Sequence, residues 1–254
     1  MFKKNHLSIY ITNENVVASE FYKGIIVNET TTNIIKSLSK NWSSHVNIYL
    51  QKDILISILN FCVEKLQVKL LDSVTIILII PVEVDGLIRD DSIVNVLENV
   101  NHATAIYQLE NIVAVVCNFL KSTNNESTRR LYIYTEESKT YISLFWINSI
   151  VDFKCVEKEL NELTKEDLIN GINAIYSNLP TEIPEKYNKM NNINKFKHSW
   201  NMQIENQVYI IAPEKMRYLL GQSLGEYDLI YLDFTENIVL QGANEIIKDM
   251  INNK

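Results

Sequence analysis

Glycine is scarce. The chain has 6 glycines in 254 residues, about 2% against a usual share near 7%. Loops that cradle phosphate use glycine so that backbone N–H groups can approach the ligand closely. Neither G-x-G-x-x-G nor G-x-x-x-x-G-K-[ST] occurs, so the dinucleotide-binding and P-loop classes have no motif behind them. Cysteine is also sparse: Cys62, Cys117 and Cys155 lie far apart in apolar surroundings, with no Cys-x-x-Cys pair. That usage predicts buried thiols in a reducing, cytoplasmic setting rather than disulfides or zinc. A basic surplus is missing. The net charge of −7 argues against nucleic acid or an anionic membrane surface as partner, and Lys3-Lys4 and Arg129-Arg130 read as solvated pairs. Long hydrophobic runs are absent as well. Val74–Val82 is the longest, far short of the roughly 20 residues a bilayer crossing needs, so no direct membrane insertion is expected. Met1-Phe-Lys-Lys-Asn-His leads into alternation rather than the apolar stretch of a signal peptide. His6, His45, His102 and His198 are scattered, with no i, i+4 pairing, and predict no metal site.

What is present is a strongly patterned α/β chain. Val74-Thr-Ile-Ile-Leu-Ile-Ile-Pro81 has no polar alternation, as expected of a strand buried on both faces, and its Val, Thr and Ile content favours strand over helix. Before it come three short strands, 7–12, 16–22 and 25–27, separated by Asn13-Glu14-Asn15 and Lys23-Gly24. Residues 28–50 are polar, with a helix suggested only over 33–39. Gln51–Gln67 places Ile54, Leu55, Ile58, Cys62 and Leu66 on one helical face. After a turn at Asp85-Gly86, a short helix is predicted over 92–100, a brief strand over 103–107 and a nearly all-apolar buried helix over 109–121. The polar loop 122–130 is the candidate lobe boundary. A hairpin over 131–134 and 140–147 follows, then a strand over 150–155. Thr164-Lys-Glu-Asp167 approximates a capping box for a helix ending near Asn178. An irregular stretch over 180–203, a strand over 208–211, a helix over 214–224, a short strand over 229–232 and a helix over 237–251 complete the chain.

The second half therefore repeats the order of the first. In that order, local segments resemble the actin/Hsp70/sugar-kinase superfamily of ATPase folds. Residues 7–18 (Leu-Ser-Ile-Tyr-Ile-Thr-Asn-Glu-Asn-Val-Val-Ala) resemble its first phosphate hairpin. Ile-Ile-Pro (79–81) resembles the strand end hydrophobic-Thr-Val-Pro, and 109–116 the start of the helix Asn-Glu-Pro-Thr-Ala-Ala-Ala. Residues 131–145 are similar to the second phosphate hairpin. Val-Tyr-Ile-Ile-Ala-Pro (208–213) stands where the adenosine motif Leu-Val-Gly-Gly belongs, and 236–243 resembles Asp-Glu-Ala-Val-Ala-x-Gly-Ala. The resemblance implies a duplicated actin/Hsp70-like ATPase-domain fold with shortened peripheral subdomains. Each lobe, 1–122 and 123–254, would carry a mixed sheet flanked by helices.

The same alignment implies where a nucleotide pocket would lie and how this chain departs from it. Tyr10 falls on the family's magnesium-side Asp and Thr12 on its phosphate-loop Gly, with Asn13 beside them. Tyr134 falls on the second Asp, and Thr135 sits beside it. Glu136, Glu137 and Ser138 fall on glycines, and carboxylates there would repel a triphosphate. Ala212 and Pro213 replace the adenosine-motif glycines, removing close approach and one N–H. Gly242 alone keeps a family glycine. Glu110 alone keeps an acidic residue at a catalytic position, and it would act only in a true ATPase; otherwise it is a carboxylate favoured by a helix N-terminus. The expectation is a non-catalytic cytoplasmic scaffold or assembly protein, like the actin-like proteins of pilus and secretion machineries. It would have no cofactor and no metal. Its partners would be other proteins, membrane-machinery subunits or copies of itself. The alternative is an Hsp70- or actin-like ATPase or chaperone, using ATP and magnesium, with divergent phosphate loops. Tyr10 and Tyr134 are expected to be buried, with Thr12, Asn13 and Thr135 serving their hydroxyls. For the sheet aromatics Tyr132, Tyr134, Tyr141, Phe145 and Trp146, the choice lies between core packing and an exposed binding face.

Overall fold

A computed structural model covers the chain and describes residues 4–12, 15–21, 23–30, 33–34, 48–66, 73–82, 90–119, 129–136, 138–146, 149–159, 161–185, 187, 200, 207–235 and 237–252. The hydrophobic patterns become two five-stranded sheets, each belonging to its own compact unit. The first unit is Met1–Asn118 with Asn237–Lys254, and the second is Phe119–Glu236.

In the first unit, strands β1 (Lys4–Ile11), β2 (Asn15–Glu20) and β3 (Ile25–Thr30) form the antiparallel meander. Strand β4 (Ser73–Ile80) then pairs parallel with β1, and β5 (Ala103–Glu110) parallel with β4, giving the order β3-β2-β1-β4-β5. β4 lies between β1 and β5 and all but its first residue is buried, as its unbroken apolar run requires. One face of the sheet carries Leu7, Ile9, Ile11, Ile76, Leu78 and Ile80, packed with Leu55, Ile58, Leu59 and Cys62 of α1 (Lys52–Lys65) and with Val96 of α2 (Asp90–Asn99). The other face meets α3 (Asn111–Cys117) and the closing helix α6 (Ile238–Asn252).

The second unit repeats the scheme. Strands β6 (Arg129–Glu136), β7 (Lys139–Trp146) and β8 (Ser149–Glu157) form its meander. Strands β9 (Gln207–Ile211) and β10 (Asp228–Leu232) add in parallel, giving β10-β9-β6-β7-β8. Helices α4 (Lys165–Ser177) and α5 (Glu214–Ser223) supply Leu168, Ile172, Ile175, Met216 and Leu220 to a core with Leu131, Ile133, Ile142 and Leu144. Tyr132, Tyr134, Tyr141, Phe145 and Trp146 are all buried, which settles those aromatics as packing.

Several expectations change. The strand predicted over 103–107 runs on to Glu110, because Leu109 and Glu110 stay in register with Ile79 and Ile80; the helix expected from 109 begins at Asn111. The closing helix, which a division at 122/123 assigns to the second lobe, packs in the first unit. Arg129 and Arg130 are not solvated: their guanidiniums lie 5.4 Å from the ring centroids of Trp200 and Tyr209. Burial lowers the Arg129 pKa and pushes the Cys62 thiol up to about 12, while Cys117 and Cys155 are only half-buried. The suggested helix is described only at 33–34. Asp85-Gly86, the Asn124-Asn125 loop, His45, His198 and most of 186–206 lie outside the described residues.

The capping box at α4 is complete. Thr164 Oγ1 accepts from the Asp167 N–H at 3.2 Å, and the Thr164 N–H donates to Asp167 Oδ2 at 2.9 Å. Lys158 Nζ donates to both Asp167 oxygens at 2.8 Å. The Lys158 and Thr164 hydrogen bonds hold the Asp167 carboxyl down at about 2. Because the folded pKa is depressed, this stabilisation is full above the ordinary carboxylate pKa near 4 and fades as pH falls toward 2. Asp167→Asn should therefore melt below the parent at pH 7, and the two melting curves should converge between about pH 4 and pH 2. A gap that stayed constant across that range in a pH series of thermal melts would contradict the assignment.

Candidate functional site

Apart from Gly242, the residues singled out from the sequence lie at or near the ends of strands and in the turns that follow them. In the first unit they gather where β1, β4 and β5 end. Parallel pairing of β1 with β4 stops at Tyr10–Ile79, which leaves the next backbone groups needing partners. Tyr49 supplies them from a short 3-10 turn (Ile48–Leu50). Its hydroxyl lies 2.5 Å from the Ile11 carbonyl and 2.9 Å from the Ile79 carbonyl, and it accepts from the Ile11 N–H at 3.1 Å.

Asn111, the first residue of α3, does the same for the segment after β4. Its Oδ1 accepts from the Val82 N–H at 3.1 Å and from the Ile112 N–H at 2.9 Å. Its Nδ2 donates to the Tyr10 hydroxyl at 3.3 Å. Tyr10 is buried as expected, and this partner is one the sequence did not reveal. Thr12, expected to serve Tyr10, turns back on its own loop: Oγ1 donates to the Asn15 carbonyl at 3.4 Å and accepts from the Asn15 N–H at 3.0 Å. Asn13 lies outside the described residues. Glu110 is the N-cap of α3 without a side-chain capping bond, so its carboxylate stands at that helix start.

Gly242 sits inside the contact between α3 and α6. A Cβ built there would fall 1.6 Å from the Ala114 carbonyl oxygen, so the two helix backbones touch where only glycine fits. Asn118 locks the crossing, donating through Nδ2 to the Ile238 carbonyl at 2.8 Å and the Val115 carbonyl at 3.2 Å.

In the second unit the expected phosphate loop is a tight hairpin. Glu136 pairs with Lys139, which leaves only Glu137, outside the described residues, and Ser138 between the strands. Tyr134 is buried and stacks on Tyr141, with centroids 5.9 Å apart and planes 13° apart. Thr135 was expected to serve its hydroxyl; Thr135 Oγ1 is buried and has no hydrogen-bond partner among the described residues. Ala212 and Pro213 follow β9, and Pro213 is the N-cap of α5 with Glu214 in the first turn. Arg217 of α5 donates through Nε to the Ala212 carbonyl at 3.3 Å and through Nη2 to the Leu232 carbonyl at 2.7 Å. It ties off the ends of β9 and β10. No group of His, Cys, Asp and Glu able to hold a metal occurs among the described residues. No helix among them is long and apolar enough to cross a membrane.

No sequence-family profile matches this chain, and no curated protein matches it by sequence. Solved structures do match it over its whole length. MreB5 of Spiroplasma citri bound to ADP is similar at a TM-score of 0.60 with 13% identity, covering 99% of each chain. The apo ParM protein of psk41 gives 0.57 with 9% identity, covering 98% of each. The filament of AlfA from the Bacillus subtilis plasmid pLS32 gives 0.57 with 9% identity, covering 96% of this chain and 98% of that one.

The site's hydrogen bonding and close packing generate two expectations. Asn111→Leu should cost on the order of 1–3 kcal/mol, because the buried Val82 N–H and Tyr10 hydroxyl lose their partner. Gly242→Ala should cost about 1–3 kcal/mol or more by forcing α3 and α6 apart. Chemical denaturation checks both; a change under 0.5 kcal/mol (a surface-like value) in either variant would remove its contact from the account.

Proposed function

We propose that this chain, which has the actin-like ATPase fold, works as an assembly protein that binds other proteins or copies of itself and does not hydrolyse nucleotide. The observation that carries this reading is the β6–β7 hairpin. Its two-residue turn, entered through Glu136, gives a triphosphate no glycine-lined backbone nest and places a carboxylate beside it. The first hairpin supports the same reading, since Thr12 spends its hydroxyl and the Asn15 N–H on closing its own turn. So does the start of α5, where Pro213 has no N–H to offer and Glu214 offsets the helix dipole. Self-association fits the fold's company: AlfA was solved as a filament, and MamK as a double-helical filament at a TM-score of 0.54.

A second reading has its own support. MreB5 was solved with ADP and with AMPPNP on a fold that matches this chain over 99% or more of its length, so an ATPase with divergent loops is the competing proposal. Glu110 is then the residue to act on water. Isothermal titration calorimetry with ATP and magnesium separates the two. The assembly reading expects no binding tighter than millimolar. A micromolar, magnesium-dependent dissociation constant that Glu110→Gln leaves intact while abolishing phosphate release would establish the ATPase instead.

A further inference from the structure

Glu20 is the one carboxylate buried among the described residues. Strand alternation puts it there. Val16 and Ala18 of β2 lie in the first unit's core, and the same period carries Glu20 to that face. Its register partner Leu7 is a core residue as well. Among the described residues no donor reaches either carboxylate oxygen in hydrogen-bonding geometry. Asn5, diagonal to Glu20 on that face, is buried with its own amide unpartnered, so it does not answer the charge.

Lys23 answers it instead. Its Nζ stands 3.2 Å from Glu20 Oε2, and the lysine side chain is 35% exposed while the glutamate side chain is 0% exposed. The turn that joins β2 to β3 makes this contact possible. Gly24, at φ +61°, reverses the chain and donates its N–H to the Glu20 carbonyl at 3.0 Å. That returns Ile25 to register with Glu20. A buried charge thus depends on a counterion that solvent, and reagents in it, can reach. Removing one partner of such a pair leaves an uncompensated charge in the core, which is far worse than lacking the pair altogether.

We propose that Lys23 is a modification site that works as a charge switch on the first meander. Acylation of its amine strands the Glu20 carboxylate, which leaves the core for water and opens the β2–β3 turn. An acyl phosphate is the class of donor. The deprotonated amine attacks the acyl carbon; the C–N bond forms, the C–O bond to phosphate breaks, phosphate leaves, and the amine proton passes to water. The resulting amide carries no charge, so the contact with Glu20 loses its attraction. Gly24 and Ile25 lose their pairing first, because Glu20 is the partner of both. The rest of the β2–β3 ladder stays closed, so the opening is local.

Amide hydrogen exchange of the full chain tests the switch. Lys23→Gln should speed exchange in the segment 21–25 at least about tenfold, and Lys23→Arg should leave it at the parent rate. Adding Glu20→Met to Lys23→Gln should bring the parent rate back, since no charge is then buried; this rescue also decides the matter if Lys23→Gln alone does not fold. Protein treated with acetyl phosphate and mapped by mass spectrometry should carry an acetyl group at Lys23, and the modified fraction should exchange as Lys23→Gln does. A Lys23→Gln chain that exchanges like the parent, or that Glu20→Met fails to slow, overturns the switch. Lys23 left unmodified while the exposed Lys52 and Lys165 are acetylated overturns the modification site.

Discussion

The backbone contact between α3 and α6 at Gly242 sets the topology of the whole chain. It brings the last helix back to a helix that ended about 120 residues earlier, and Asn118 fastens the join to the Ile238 carbonyl. The segment 119–236 is therefore an insertion between two halves of the first unit, although its own strand order copies the first. A side chain of any size at Gly242 meets the Ala114 carbonyl. This is the physical reason one of so few glycines stands at that position.

Buried polar side chains hold the rest of the first unit in register. Parallel strands that end at different heights leave backbone groups stranded in a dry interior, and each must find a partner. Tyr49 and Asn111 provide those partners at the ends of β1 and β4, and Tyr10 is held through Asn111. In the second unit Arg217 plays the corresponding part for β9 and β10. Within each unit these side chains satisfy backbone groups at the strand ends.

How much of this could be read from the sequence depends on the kind of interaction. β4 was legible because burial on both faces leaves an unbroken apolar run, and the α4 capping box because its spacing is local. The duplicated strand order was legible for the same reason. The end of β5 was not: Leu109 and Glu110 sit in an apolar run that suits a helix, and only pairing with Ile79 and Ile80 keeps them extended. Tyr49 was hidden in a polar stretch with no periodicity, and Asn111 looked like any polar residue at a helix start. Tyr10 was read as buried, but its contact with Asn111, 101 residues away, leaves no local trace. The packing of the closing helix against α3 was not legible, because a contact made by one glycine leaves no periodic trace.

The assembly role proposed above has the actin-like fold act through its surfaces, with stability supplied by packing rather than by a bound ligand. The most direct test of that claim is sedimentation velocity of nucleotide-depleted protein, run in EDTA and again with ATP and magnesium. The account predicts concentration-dependent assembly with the same distribution of species in both. Assembly that requires ATP, or that reverses as ATP is consumed, would contradict it.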